Sequence, residues 1–254
     1  MDSLANGAKI YFGIKTPWFT INITQTVITI FVATVLLITL AFFIGRSLKK
    51  RPGGFQVVVE KLVNMLYGLV ESTMGKHNLK FAPYIGTLFL SSIVCTLLGM
   101  TQVLRSATAD ISVTVAWALV TTAMVWYSNI KNFGFKAWLK GFTEPIVVMT
   151  PMNIVSEIAQ PISLAFRHFG NVAGGGVLTA LIYTALGGLS GIVFGWIPGI
   201  IGNIPFLQVG IPAFLSIYFD LFSGFVQALV FSLLTMVYVG AANPPPPEQE
   251  AQAE

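Results

Sequence analysis

The chain has 254 residues, 55% of them hydrophobic and only 9% charged, with a mean hydropathy of +0.78. A soluble domain carries about 25% charged residues, so this composition excludes one and indicates a polytopic membrane protein. The formal net charge of +4 does not indicate nucleic-acid binding, because the basic residues cluster beside apolar runs; the single cysteine, Cys95, excludes a disulfide framework or a cysteine-based metal cluster within the chain.

Residues 1–20 are mixed polar and lack the basic leader of a cleaved signal, and are expected as an external N-terminus. The first apolar run, about Ile21 to Ile44, predicts a span over 21–45 and ends at Arg46, Lys49, Lys50 and Arg51, a cluster that marks a cytoplasmic membrane end. Over 54–75 the pattern changes. Val57, Val58, Leu62, Val63, Leu66, Leu69 and Val70 recur at helical spacing with Glu60, Lys61, Asn64 and Glu71 between them, which predicts an amphipathic helix on the membrane surface.

Residues 81–130 hold two further apolar runs joined by the polar turn Arg105–Asp110 and predict a helical hairpin. Residues 146–240 hold two long apolar stretches, about Ile146–Leu186 and Phe206–Gly240. The Gly- and Pro-rich segment between them, Gly187–Pro205, reads as a turn with a partly embedded loop. The tail 243–254 is Pro-rich and acidic and reads as disordered.

Arg46, Lys49, Lys50, Arg51, Lys61, Lys76, Lys80, Lys131, Lys136 and Lys140 would share one side, leaving Lys9, Lys15 and Arg105 on the other. The positive-inside rule then predicts an external N-terminus, a cytoplasmic C-terminus and five crossings. The expected fold is an all-α polytopic membrane protein: one membrane domain over 1–254, with five membrane-crossing helices and one amphipathic surface helix.

Arg167 is the most informative residue. An ionised guanidinium costs at least ~2.5–3.5 kcal/mol at the centre of a membrane helix, and its pKa above ~12 keeps it charged. Its segment also carries Glu144, Asn153, Glu157, Gln160, Ser163, His168 and Asn171, a density costly in lipid unless these groups face protein or water. Gln160, Ser163, Arg167, Asn171 and Gly174 recur every three or four residues, as one polar, small helical stripe. Asp220 and Gln227, seven apart, share a stripe on the last helix, with Ser216 and Ser223 nearby.

Two readings of these groups stay open. They form an ion path in which Glu157 and Asp220 are places for a proton or small cation to pause. Alternatively Asn171 and Gln227 hydrogen-bond between helices, and Arg167 is a structural partner of Glu157 or Asp220. Gly170, Gly174, Gly175 and Gly176 allow close approach of another helix, whether for ordinary packing or to keep the surface around the cation smooth.

The segment Pro161-Ile-Ser-Leu-Ala-Phe-Arg-His-Phe-Gly-Asn171 resembles the signature of subunit a, the stator channel subunit in the membrane sector of bacterial F-type ATP synthases. Met74-Gly-Lys76 with Phe81-Ala-Pro-Tyr-Ile-Gly-Thr-Leu-Phe89, then Ala107-Thr-Ala-Asp110, then Gln227-Ala-Leu-Val-Phe-Ser-Leu-Leu-Thr-Met-Val-Tyr238 resemble that family's other landmarks in the same order. The resemblance implies two aqueous half-channels that pass ions to and from the carboxylate of a c-ring, and last two helices that are long and strongly tilted. Arg167 would face that carboxylate, with Asn171, Gln227 and Ser163 as polar positions near it and Glu157 lining a half-channel. Two departures from the family pattern stand out. Many bacterial members carry Glu where this chain has Gly176, and often His where it has Asp220, so Asp220 would compensate for the missing acid. His168 and Glu144 are further ion-path candidates.

The implied partners are the c-ring, subunit b, the rest of the membrane sector and the lipid of the bacterial cell (inner) membrane, with no nucleic acid. No cofactor, metal or catalytic residue is implied, and without a P-loop motif the ATP chemistry belongs to partner chains. The alternative is a secondary transporter with a small-molecule site near Arg167, which would want repeat-related broken helices that this chain does not display. A non-transporting assembly protein would leave Arg167, Glu157 and Asp220 unexplained.

Overall fold

The computed structural model describes residues 10–15, 20–101, 104–144, 146–194 and 217–246. Strands β1 (Ile10–Lys15) and β2 (Thr20–Thr24) form an antiparallel hairpin. Seven α-helices follow among the described residues: α1 (Gln25–Ser47), α2 (Gly54–Met74), α3 (Ala82–Met100), α4 (Ile111–Phe133), α5 (Phe135–Gly141), α6 (Thr150–Phe194) and α7 (Ser223–Ala241). Five of them, α1, α3, α4, α6 and α7, are long and apolar enough to cross a membrane. The chain is therefore an α-helical polytopic membrane protein. Helix α2 is not among the five; it exposes Val57, Val58, Leu62 and Val63 and buries Val70 and Met74.

Helix ends follow from local chemistry. Gly75 at φ +80° stops α2, and its N–H returns to the carbonyl of Glu71. Gly134 at φ +85° does the same after α4, bonding Ile130. Glycine enters this left-handed region without a Cβ clash, and the bonds it makes there satisfy carbonyls at the helix end.

Three expectations are corrected. The first helix starts at Gln25, not near Ile21, because Ile21-Asn-Ile-Thr24 alternates apolar and polar and pairs as a strand. Gly187, Gly188 and Gly191, expected in a turn, lie inside α6, which continues to Phe194. In a lipid-compatible segment the backbone must satisfy its own hydrogen bonds, so glycine stays helical where water would have competed. The remainder of that segment, to Pro205, and the stretch 206–216 lie outside the described residues. Finally, Asn243, expected in a disordered tail, is 7% exposed and fully engaged. Residues 247–254 lie outside the described residues.

The described contacts fall into two compact units. The first contains 1–33, 92–111 and 167–227; the second contains 34–91, 112–166 and 228–254. In the second, Val70, Met74, Ala82, Ile85, Met236 and Val239 form one apolar cluster. Leu88, Ala118, Leu164, Ala165 and Phe231 form another, with Trp117 edge-on to Phe231 at 6.3 Å. Lipid tails are as apolar as these side chains, so close packing at small residues such as Ala118 and Ala165, not a hydrophobic gain, holds the helices together.

A polar knot in the second unit holds the end of α7. Asn78 Nδ2 donates to the carbonyls of Met74 and Asn243, both at 2.9 Å. His77 Nε2 lies 2.9 Å from the Asn243 carbonyl. Asn132 Nδ2 donates to the Ala242 carbonyl at 2.8 Å and to Asn243 Oδ1 at 3.0 Å. Asn243 Nδ2 itself returns to the Val239 carbonyl, so the last turn of α7 is capped from three segments.

Candidate functional site

Helix α6 presents two contrasting faces around Arg167. Ile162, Ser163, Phe166, Arg167 and Gly170 recur at helical spacing and are exposed, whereas Leu164, Ala165 and His168 are buried. Neighbouring helix residues point about 100° apart, which separates Arg167 from His168. The ion pairs among the described residues are Lys76–Glu71 and Lys140–Glu144, and Arg167 is in neither. A permanent cation thus stands on an apolar helix face without an acidic partner among the described side chains.

His168 is 1% exposed, with Nε2 3.2 Å from Ser92 Oγ on α3. One helical turn later Asn171 is tied to the start of α7. Its Nδ2 donates to the Ser223 carbonyl at 3.1 Å, and Ser223 Oγ donates to Asn171 Oδ1 at 3.0 Å. The expected stripe is therefore split among environments: Ser163 and Arg167 are exposed, Asn171 is half-buried and paired, and Gln160 lines a separate cavity.

Within the first unit, Thr96, Ser106, Asn171 and Ser223 line a cavity of about 140 Å³. That is well above the ~10–15 Å³ needed to hold one water, and its walls offer hydroxyl and amide partners. Gly224 and Gly99 make the enclosing contacts: a Cβ at Gly224 would strike Thr96, and one at Gly99 would strike Ser106. The loop between α3 and α4 is fastened nearby. Thr26 on α1 donates to Asp110 Oδ2 at 3.0 Å, and Thr29 donates to the Arg105 carbonyl at 3.0 Å.

Before α7 the backbone of Ile217–Phe222 is π-helical. Wider π turns are rare and occur often at functional sites. They also change the angular register, so the seven-residue spacing of Asp220 and Gln227 no longer implies a shared stripe. Asp220 lies in this π segment, and its side chain is outside the described set, as is Ser216. Gln227 is 6% exposed, and its Nε2 has no hydrogen-bond partner among the described residues.

In the second unit, Trp126 Nε1–H donates to Glu157 Oε1 at 2.6 Å, and Trp138 packs on Trp126 with ring centroids 6.2 Å apart. Glu157, Gln160, Thr121 and Tyr238 line a cavity of about 10 Å³, the size of one water. Glu144 is exposed and faces Lys140 at 3.8 Å, a surface pair of small energetic weight. Among the described residues, no cluster of three or more His, Cys, Asp or Glu is placed to hold a metal ion.

The sequence alone does not single out Trp126, Ser92, Thr96 or Thr26, and it gives Asp110 only as part of a loop motif. The four-residue spacing of Ser92 and Thr96 inside an apolar run was the available signal. Nothing local joins Trp126 to Glu157 or Thr26 to Asp110.

A family profile described as ATP synthase A chain matches residues 27–240. The chain is 32% identical to the sodium ion specific ATP synthase subunit a of Propionigenium modestum, over 85% of this chain and 73% of that protein. It is 31% identical to ATP synthase subunit a 2 of Bradyrhizobium sp. (strain BTAi1), over 87% of this chain and 90% of that protein. It is also 32% identical to ATP synthase subunit a of Anoxybacillus flavithermus, over 87% and 93% respectively.

Proposed function

The chain belongs to the ATP synthase A chain family, and from that premise we propose that it forms two aqueous half-channels and couples ion flow to rotation of a c-ring. At the coarser level it is a multi-pass, ion-transporting subunit of the membrane sector of a bacterial ATP synthase. The c-ring, subunit b, the external N-terminus and cytoplasmic C-terminus, and the tilt of the last two helices belong to the finer reading. So does the absence of a catalytic centre, with ATP chemistry in partner chains.

One observation carries the reading. Arg167 is exposed on an apolar face of α6 with Ile162, Phe166 and Gly170. Left against lipid it would cost at least ~2.5–3.5 kcal/mol, so the face calls for an anion supplied by another chain. A passing carboxylate on a rotor helix fits that need. The cation favours the ionised carboxylate opposite it and repels protons and other cations, so the two half-channels stay separate. Gly170 beside it offers no side chain to hinder the approach.

The hydroxyl-lined cavity at Asn171 and Ser223 suits one half-channel, and the Glu157–Gln160 cavity suits the other. Ser163 shares the exposed face with Arg167, and Gln227 brings a buried amide donor to α7. Asp220 replaces the acid absent at Gly176. His168, held by Ser92, acts in packing α6 on α3 instead of relaying ions, and Glu144 acts at the surface.

Arg167→Ala tests the proposal by ATP-driven ion pumping in membrane vesicles. The expected result is loss of coupled pumping with the subunits still assembled. Normal coupled pumping would overturn it.

A further inference from the structure

The N-terminal hairpin carries none of the ion-path candidates named above, and it has a definite polarity. Its backbone register pairs Phe12 with Ile23, Gly13 with Asn22, Ile14 with Ile21 and Lys15 with Thr20. Directly opposed residues share a face, and successive pairs alternate faces. Phe12 and Ile23 therefore lie on one face, while Asn22, Lys15 and Thr20 lie on the other. An irregularity between Ile10 and Phe12 leaves Tyr11 as an extra residue in β1. Ile10, Tyr11 and Phe12 are 60%, 52% and 69% exposed.

Three physical limits locate this element. A two-stranded hairpin is at best marginally stable in water, and this one leaves its aromatic residues uncovered. Hydrocarbon is excluded as well, because both strands of a two-stranded sheet carry unpaired outer backbone groups, which lipid tails cannot satisfy. The third limit is covalent. Strand β2 ends at Thr24 and α1 begins at Gln25; the 23 residues of α1 extend ~35 Å, against a hydrocarbon core of ~30 Å. The hairpin must emerge within a few residues of the hydrocarbon boundary.

We propose that the β1–β2 hairpin is an interfacial anchor, seated in the lipid headgroup layer with Phe12 toward the acyl chains and Lys15 and Asn22 toward water. The headgroup region supplies hydrogen-bond partners for the open strand edges and an apolar boundary for the aromatic rings, the environment in which Tyr and Trp belts collect. Its consequence is to pin the N-terminal end of α1, whose Thr26 and Thr29 hold Asp110 and Arg105.

The test uses the intact ATP synthase reconstituted in liposomes, with other accessible cysteines removed and Phe12→Cys carrying an NBD fluorophore. Quenching by lipid bearing a nitroxide near the headgroup is compared with quenching by aqueous iodide. Asn22→Cys serves as the matched label on the opposite face. The expected result is strong lipid quenching and several-fold weaker iodide quenching at position 12, with the order reversed at position 22. Strong iodide quenching at both positions would place the hairpin in water. Protection of position 12 from both quenchers would mean that a protein subunit covers it. Either outcome overturns the proposal. If Phe12→Cys fails to assemble, Ile23→Cys on the same face provides the depth measurement.

Discussion

Asn171 and Ser223 hold each other twice, backbone carbonyl and hydroxyl both engaged, at 3.1 and 3.0 Å. The pair joins α6, four residues after Arg167, to the first residue of α7, where the π-helical turn gives way to α-helix. It also forms part of the wall of the 140 Å³ cavity. One contact thus links the local backbone irregularity to the polar space beside it.

Breaking this pair should affect ion flow more than assembly. Polar contacts between membrane helices average about 0.6 kcal/mol and reach about 1.7, so neither partner alone holds the protein together. Asn171→Leu removes both bonds and narrows the cavity, and is expected to slow ATP-driven pumping several-fold in assembled complexes. Ser223→Ala keeps the carbonyl acceptor and should cost less. Equal pumping in wild type and Asn171→Leu would show that the cavity carries no ion flow.

Gly224 is a steric prediction. A Cβ there would meet Thr96 Cγ2, the end of a side chain and not backbone. Gly224→Ala should therefore lower the thermal stability of the membrane sector, by about 1–3 kcal/mol as for overpacked sites. Thr96→Ala combined with it should restore much of the loss. Additive effects of the two substitutions would refute the contact.

Trp126 should act through Glu157. A hydrogen bond to a charged group is worth about 1.5–3 kcal/mol, and Trp126→Phe removes the donor while keeping an aromatic ring against Trp138. Pumping is expected to fall with Trp126→Phe in the wild-type background. It should change little further when Glu157 is already Gln. A full additional loss in the Glu157→Gln background would mean that Trp126 works independently of the carboxylate.

Asn243 should prove essential to the polar knot at the end of α7, despite its place beside a proline run. Its carbonyl and side chain engage His77, Asn78, Asn132 and Val239. Asn243→Ala removes the side-chain bonds to Asn132 and to the Val239 carbonyl, at about 0.5–1.5 kcal/mol each. Truncation after Ala242 should reduce assembled complex and raise protease sensitivity, whereas truncation after Pro246 should not. Similar abundance of both truncations would refute the anchoring.

Much of the fold was legible because bilayer physics writes long signals into a chain. Twenty-odd apolar residues ending in Arg46, or in Lys131, can be read without a structure, and so can the amphipathic spacing of α2. What failed was short or contextual. Ile21-Asn-Ile-Thr24 merges with the first apolar run, since four alternating residues weigh little beside twenty apolar ones. Gly187, Gly188 and Gly191 look like loop in sequence because their helical behaviour depends on the absence of competing water. The seven-residue spacing of Asp220 and Gln227 assumed an α-helix, and the π turn at Ile217–Phe222 removes that inference.

The candidate site divides in the same way. By itself the amino-acid order determined that Arg167 is a fixed charge in an apolar span, ringed by polar and small residues, because charge and hydropathy belong to the residue. Only the tertiary structure decided that Arg167 is exposed while His168 turns to Ser92, that Asn171 pairs with Ser223, and that Trp126 caps Glu157. Those relations join residues 31, 52 or 76 positions apart. They arise where packed helices bring side chains within hydrogen-bond reach, and no local pattern along the chain encodes which helices those are.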